Sequence, residues 1–508
     1  MKEITIIGSG VAGLSSACYL SKAGFKVKVL EKNAKAGGRL SQFERNGFTF
    51  DKGPSWYWMP DIFDNFFKDF NKNTSDYYNL KRIDPSYQFI TKNDAYRIPA
   101  NFDKLCELFD RVEKKSSESL IKYINLAKNK YKLSIDKFLN LSGESYTELI
   151  NPSILKNIHK LNIFISLRSH IKKYFRNEDL IKLLEFPSMF LGGTPLNTPG
   201  VYSMMNFADI KGGTWYPMGG MYKIVDAMKE IAVELGVDFH FNNTVKGFDI
   251  KNNQIKEIIG NDNKVYHSDH IVSNCEYPFT QLNIIDNKSR SYSEKYWSSR
   301  KIAPSAIIFY LGISKKINFL KHHNLFFDES FNEHLKDINE KNKFPKKPLF
   351  YVCCPSKTDE SVIPDAAMEN IFILIPVSTK SNPTKEVVDY YFKYVIDKLE
   401  KYESSEIKKH IIEKSSYTKN DFIHDYNAYK GNAYGLANTL LQTATFKPKI
   451  NDRRINNLSY CGHFTVPGPG LPPSIISGKI VSNILEKKYE KSLWYIITKS
   501  IYTGYVWI

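Results

Sequence analysis

The sequence predicts an α/β protein: a Rossmann-like nucleotide-binding domain assembled from discontinuous segments, with an α+β domain inserted between them and a helical cap. Three observations carry this reading. Residues 3–31 read as one strand–turn–helix–strand unit, the stretch from about 61 to 190 keeps apolar residues at 3/4 spacing, and a last strand–turn–helix unit spans Leu458 to Leu485. A chain of 508 residues makes two to three domains at about 150 residues each, enough to bury a large core and enclose a sizeable ligand.

The β-branched run Ile4 to Ile7 predicts the first strand, Ala12, Leu14, Ala17 and Leu20 trace one helix face, Gly24 stops that helix, and Lys26 to Leu30 form a second strand. Further on, Tyr222 to Leu235 reads as a helix ended by Gly236, and Val237–Phe241 and Val245–Ile250 as strands. Between residues 300 and 430, apolar strands such as Ile307–Ile313 and Ile371–Val377 stand between Lys/Asn-rich loops. The expected division is 1–60 with 214–295 and 445–490 for the nucleotide-binding domain, 61–213 for a helical, membrane-facing insertion, 296–444 for a substrate domain, and 491–508 for an aromatic tail. No internal repeat is visible.

The 71 Lys+Arg against 54 Asp+Glu leave a net charge of +17, which suits nucleic acid, an anionic membrane surface or acidic substrates. Only 11 of these cations are Arg, and Lys, Asn, Ile, Tyr and Phe are abundant together, as a biased coding composition also produces. With no zinc-finger spacing, aromatic strand motif or Arg stripe, nucleic acid is the disfavoured partner. The cysteines at 18, 106, 275, 353, 354 and 461 form no C-x-x-C pair and have no histidine at metal-ligand spacing. A reduced cytosolic compartment and no metal are therefore expected. No signal peptide is expected ahead of Ile4, and no stretch reaches the roughly 18–20 apolar residues of a membrane span.

Gly8-Ser9-Gly10-Val11-Ala12-Gly13 is a G-x-G-x-x-G set between strand and helix. Gly8 admits the tight turn, Gly10 lets the backbone approach a pyrophosphate, and Gly13 allows helix and strand to pack closely. The helix N-terminus adds N–H donors and a positive dipole end. Glu31 ends the second strand 21 residues after Gly10 and is the acid expected on an adenosine ribose hydroxyl. These residues predict a dinucleotide without separating NAD from FAD. Gly37-Gly38-Arg39 adds a second glycine turn, with Arg39 offsetting the pyrophosphate charge, and Asp51-Lys52-Gly53-Pro54 adds a third close approach.

This succession resembles the FAD-binding, glutathione-reductase-type domain of the amine oxidase and carotenoid desaturase superfamily. Three later stretches resemble bacterial-type phytoene desaturases: Gly53 to Pro60 (GPSWYWMP), Gly213 to Met221 (GTWYPMGGM) and Gly462 to Pro473 (GHFTVPGPGLPP). The likeness covers essentially the whole chain. It implies FAD held by Gly8, Gly10, Val11, Ala12, Gly13, Glu31, Lys32, Gly38, Arg39, Gly53, Pro54, Ser55, Val245, Gly462, Leu471 and Pro472. It also implies a helix from Ser474 to Leu485 whose dipole faces the reduced ring, and desaturation of phytoene towards neurosporene and lycopene. Many relatives carry His-Pro-Gly where this chain has Val466-Pro467-Gly468, so a mechanism needing that imidazole does not transfer.

An amine substrate is recognised through its cation, whereas a carotene has no polar handle and requires a long apolar tunnel. The 33 Phe and 32 Tyr are compatible with one. The proton goes to a weak base or to the flavin itself. Asp209, just before the Gly212-Gly213 turn into a segment, Tyr216 to Met221, expected to face the flavin, is the one nominated base, although a solvated loop carboxylate reads the same and is the favoured reading. A desaturase of a hydroxylated or shorter carotene, a carotenoid isomerase and a non-catalytic flavoprotein share these motifs and stay open.

Two segments suit a lipid surface. Ile154 to Phe186 places apolar residues at 154, 158, 161, 164, 167, 171 and 174 on one predicted helix face, with Arg168, Lys172 and Arg176 beside it, although packing on the core gives the same pattern. Leu493 to Ile508 carries Trp494, Tyr495, Tyr502, Tyr505 and Trp507, residue types favoured at a bilayer interface, although docking onto the body of the protein accounts for them as well. The expectation is a cytoplasmic enzyme held peripherally on the inner face of the cell membrane, taking a lipid-dissolved carotene and passing electrons to a quinone or O2.

Overall fold

The computed structural model describes residues 1–138, 141–145, 147–148 and 161–504, and at 137–138, 190–191, 262 and 491–504 the backbone alone. Five strands, β1 (Glu3–Ile7), β2 (Lys26–Leu30), β3 (Asp238–His240), β4 (His270–Ser273) and β5 (Leu458–Tyr460), make a parallel sheet in the order β5-β4-β1-β2-β3. Three helices pack with it: α1 (Val11–Lys22), α2 (Lys223–Glu234) and α3 (Leu471–Gly504). The apolar residues of β1 and β4 are buried throughout, as a parallel sheet covered by helices requires. Helix α3 runs so close along α1 that a Cβ on Gly478 would lie 2.5 Å from the Ser15 Cβ. Gly24, at φ +85°, turns the chain from α1 into β2.

A second, seven-stranded mixed sheet runs in the order Ile411–Tyr417, Ser305–Ile313, Glu369–Val377, Phe350–Cys353, His323–Phe327, Tyr87–Thr91, Ala95–Ile98. Its strands alternate strictly. Ile307, Phe309, Leu311 and Ile313, with Ile371, Ile373, Ile375 and Val377, pack under the Lys385–Glu403 helix through Tyr391, Val395, Ile396 and Leu399. The intervening residues Ile308, Phe372 and Leu374 face the other way and line a cavity between the sheets. Both faces are thus buried, which is why these strands read as continuous apolar runs.

The structure departs from the sequence reading in four places. The 61–213 stretch is not helical throughout, since it gives the second sheet Tyr87–Thr91 and Ala95–Ile98. The strand expected at Val245 begins at Gly247, and Val245 sits in the preceding loop. Within the segment expected as one helix from 154 to 186, residues 154–160 lie outside the described residues, and the rest holds two short helices, Leu167–Ile171 and Glu178–Glu185. Arg168 turns inward there and pairs with the fully buried Glu185 at 2.6 Å, so it is not a surface cation. Finally, the helix expected over 474–485 starts at Leu471 and continues to Gly504, so that much of the supposed tail is helical. The side chains of Trp494, Tyr495 and Tyr502, and residues Tyr505 and Trp507 altogether, lie outside the described residues. Among the described residues no helix is long and apolar enough to cross a membrane.

Candidate active site

One cavity of about 620 Å3 runs from the C-terminal edge of the parallel sheet to the inner face of the second sheet. That edge is where ligands of open α/β sheets bind. Of the sixteen residues the resemblance assigns to the cofactor, fifteen line the cavity: Gly8, Gly10, Val11, Ala12, Glu31, Lys32, Gly38, Arg39, Gly53, Pro54, Ser55, Val245, Gly462, Leu471 and Pro472. Gly13 does not line it. A Cβ there would lie 2.2 Å from the Gly8 carbonyl oxygen and 2.8 Å from Asn274 Oδ1, so Gly13 serves the packing of α1 on the sheet.

The glycine turns stack into one cradle. Gly37 N–H donates to Ser9 O at 2.9 Å, and a Cβ on Gly38 would meet Gly10 Cα at 3.3 Å. A Cβ on Gly53 would lie 2.2 Å from Arg39 O. Glu31 is oriented by Ser9 N–H and Oγ–H on Oε2, at 2.8 and 2.7 Å, and by Asn33 N–H on Oε1 at 2.9 Å. The half-buried Lys32 is tied by its Nζ to His424 O at 2.6 Å, and burial lowers its pKa. Asn243, which also lines this end, has a buried Oδ1 without a partner among the described residues. A backbone cradle with no room for side chains, an oriented ribose-binding carboxylate and an unsatisfied acceptor fit a dinucleotide. Gly53→Val is expected to lower flavin content roughly tenfold or more at limiting cofactor, about 1.4 kcal/mol of binding, read as the 450 nm to 280 nm absorbance ratio of purified protein.

Beyond the cradle stands a charged cluster that the sequence reading did not single out. Glu276, three residues past β4, accepts from Arg39 Nη2 at 3.0 Å, His463 Nε2 at 3.1 Å, Tyr429 N–H at 3.0 Å and the Asn432 amide. Burial alone would raise its pKa, but the charges of Arg39 and His463 with these hydrogen bonds hold it at about 2. Its position at the C-terminal end of a sheet strand is the one signal that pointed to it. Nearby, the N-terminus of α3 (Gly470 to Ser474) enters the cavity. Pro472 and Pro473 carry no N–H, so this end offers a dipole rather than a fan of donors. Lys447 and Asn438 flank Gly468 at 3.4–3.5 Å from where its Cβ would be, and the Lys447 Nζ and Asn438 Oδ1 are buried without partners among the described residues. Only tertiary packing marks these two, and no sequence signal does.

Asp209 is not at the cavity. It is buried behind the wall, where it accepts from Tyr87 OH at 2.8 Å and Thr214 Oγ1 at 3.2 Å, and burial raises its pKa to about 7. It joins the Tyr87–Thr91 strand to the Gly213 turn and cannot reach a ligand in the cavity. Tyr216 to Met221 likewise lies outside the lining, with Met221 N–H on Asp51 Oδ2 at 2.8 Å.

A family model described as flavin containing amine oxidoreductase matches residues 11–485. The chain belongs to this family. It is a flavoenzyme whose cradle takes FAD. A carotenoid 3,4-desaturase of Haloarcula japonica is 33% identical over 95% of this chain and 98% of its own length. A zeta-carotene-forming phytoene desaturase of Myxococcus xanthus is 28% identical over 95% and 94%. An oxidoreductase of Methanosarcina mazei, known by crystal structure, shares the family's fold with a TM-score of 0.62 at 17% identity, over 95% of this chain and all of its own.

Proposed function

We propose that this flavoenzyme is a carotenoid desaturase that introduces C=C bonds into a phytoene-type polyene. The observation that carries the reading is the continuity of one cavity from the glycine cradle to an apolar chamber. Its charged lining residues, Glu31, Lys32, Arg39, Lys52, Glu276, Asp425 and His463, belong to the cradle or to the ion pairs around it. The chamber is walled by Trp56, Trp58, Phe186, Ile308, Leu325 and Phe327. An ammonium substrate would find no carboxylate there, whereas a hydrocarbon gains about 25 cal/mol per Å2 buried.

When bound, the flavin would supply the acceptor for both the hydride lost from one allylic carbon and the proton lost from the next. The chain's residues do the rest. The alternating faces of Ser305–Ile313 and Glu369–Val377 present a smooth apolar wall that holds the polyene in register, and Trp56 and Trp58 close the chamber against water. Liposomal phytoene incubated with flavin-loaded protein under oxidising conditions is expected to lose two hydrogens per step and absorb at longer wavelength. An unchanged spectrum and mass with full flavin occupancy would overturn the reading. The 33% identical relative favours a second reading, desaturation of a carotenoid at its 3,4 position. Conversion of a lycopene-type carotenoid, with phytoene untouched, would select it.

Membrane attachment on the cytoplasmic face belongs to the same proposal, as does electron transfer to a quinone or O2. Its support is the apolar rim rather than a basic helix. The lining residues Ile163 and Leu440 are followed by the exposed Phe164 and Leu441, 81% and 69% accessible. Carrying Phe164→Asp and Leu441→Asp together is expected to cut co-flotation with liposomes roughly tenfold, with flavin content unchanged. Equal flotation of variant and wild type would remove the rim from the account.

A further inference from the structure

We propose that His322, His323 and Cys353 form a site for a Zn2+-class transition metal behind the wall of the substrate chamber. Each offers one ligand atom, all three atoms lie within 4.8 Å of one another, and all three residues are buried. They are the one such group among the described residues. The strand register explains their convergence. His323 pairs with Cys353 across the antiparallel strands, and His322 is fixed at the head of its strand, where its carbonyl accepts from Cys354 N–H at 2.7 Å.

The two imidazoles are prepared alike. The Nδ1 of His322 is engaged with Thr358 Oγ1 at 2.7 Å and that of His323 with Tyr351 OH at 2.6 Å, while each Nε2 is buried without a partner among the described residues. With Nδ1–H donated outward, each Nε2 keeps a lone pair, and this is how an outer hydrogen bond orients a metal-ligating histidine. Leaving two adjacent buried nitrogens unsatisfied is costly, and one ion satisfies both. Tyr216 packs its ring edge-on to His322 at 4.7 Å, and its buried hydroxyl also has no partner among the described residues.

A donor set of two imidazoles and one sulfur is borderline-soft and selects Zn2+ over Mg2+ or Ca2+, which take oxygen ligands. Tetrahedral bonds of about 2.0–2.3 Å require the ligand atoms to close from separations of up to 4.8 Å to roughly 3.5 Å. Binding converts the Cys353 thiol to a thiolate and releases its proton to solvent. The consequence for the chamber is direct. Trp56 lies flat on His323, ring centroids 4.1 Å apart and planes 9° apart, so an ion there braces a wall residue of the cavity. No local spacing announces such a site, because His322 and Cys353 are 31 positions apart.

The test uses the flavin-loaded full chain, stripped with a chelator, dialysed against Zn2+ or Co2+, and passed over a desalting column. Elemental analysis is expected to find about one ion per chain. The Co2+ form is expected to show a near-ultraviolet thiolate charge-transfer band. His322→Gln with His323→Gln should reduce bound metal to background, and Cys353→Ser should abolish the charge-transfer band, both with flavin content unchanged. Should the double variant lose flavin, the Cys353→Ser spectrum decides alone. Wild-type protein without metal above background, or variants that hold as much metal as wild type, would overturn the proposal. None of these readouts depends on carotene turnover.

Discussion

Replacing Glu276 by alanine is expected to destabilise the protein by about 3–5 kcal/mol and to release the flavin, because truncating one partner of a buried ion pair leaves the other charge uncompensated. Here the stranded charge is Arg39, whose guanidinium lies beside the carboxylate at 3.0 Å. Glu276 also ties Tyr429 N–H and Asn432, so its loss unfastens the 429–432 turn from the cradle. Glu276→Gln keeps the shape and part of the hydrogen bonding and should lose less. The pH dependence follows from the same cluster. The folded carboxyl titrates at about 2 against an ordinary 4.5, a depressed value. Its stabilisation is therefore fully present above pH 4.5 and disappears as pH falls from 4.5 to 2. At 1.36 kcal/mol per unit this amounts to about 3 kcal/mol. Denaturant midpoints measured between pH 6 and 2 should fall more steeply for wild type than for Glu276→Gln. Parallel curves would show that Glu276 does not carry the acid sensitivity.

What the sequence made legible was set by whether a residue's role is fixed locally. The glycine turns are local. Gly13 and Gly53 stand where a side chain would strike backbone, and Gly38 sits at φ +57° close against Gly10, requirements that show up as glycine whatever surrounds them. Glu31 is nearly so, since strand length alone puts it at the sheet edge. Asp209 illustrates the opposite case: a carboxylate before a glycine turn reads the same whether it faces a cavity or, as here, the hydroxyl of Tyr87, 122 positions away. The basic face read into 154–186 fails for a related reason. Arg168 looked like a surface cation because its partner Glu185 lies 17 positions on, beyond any helical i, i+4 relation. In a chain with so many lysines, nothing local separates the buried Lys447 from its solvated neighbours.

Lys447→Met is expected to stabilise the cofactor-free protein by about 4 kcal/mol near pH 7 while lowering turnover in the carotene assay. Lys447 is 3% exposed and its Nζ has no partner among the described residues. Burial drags its pKa from 10.5 down to about 7. Between those values the unfolded chain holds a proton that the folded chain has released, so stability rises with pH from 7 to 10.5 and is lowest below 7. The shift of about 3.5 units, at 1.36 kcal/mol each, sets the size of the penalty near neutrality. Methionine fills a similar volume without a polar atom, which removes both the penalty and the rise with pH. A group this unfavourable is retained where something compensates it, and Lys447, which does not itself line the cavity, stands beside Gly468 with the lining residue Asn438, through which an occupied cavity would act on it. Thermal melts from pH 6 to 10 and steady-state rates separate the terms. A flat, upshifted melting profile with a rate roughly tenfold lower assigns the amine to the working site. A flat profile with an unchanged rate leaves it a structural burden, and a destabilised variant would mean that Nζ is held by an interaction of its own.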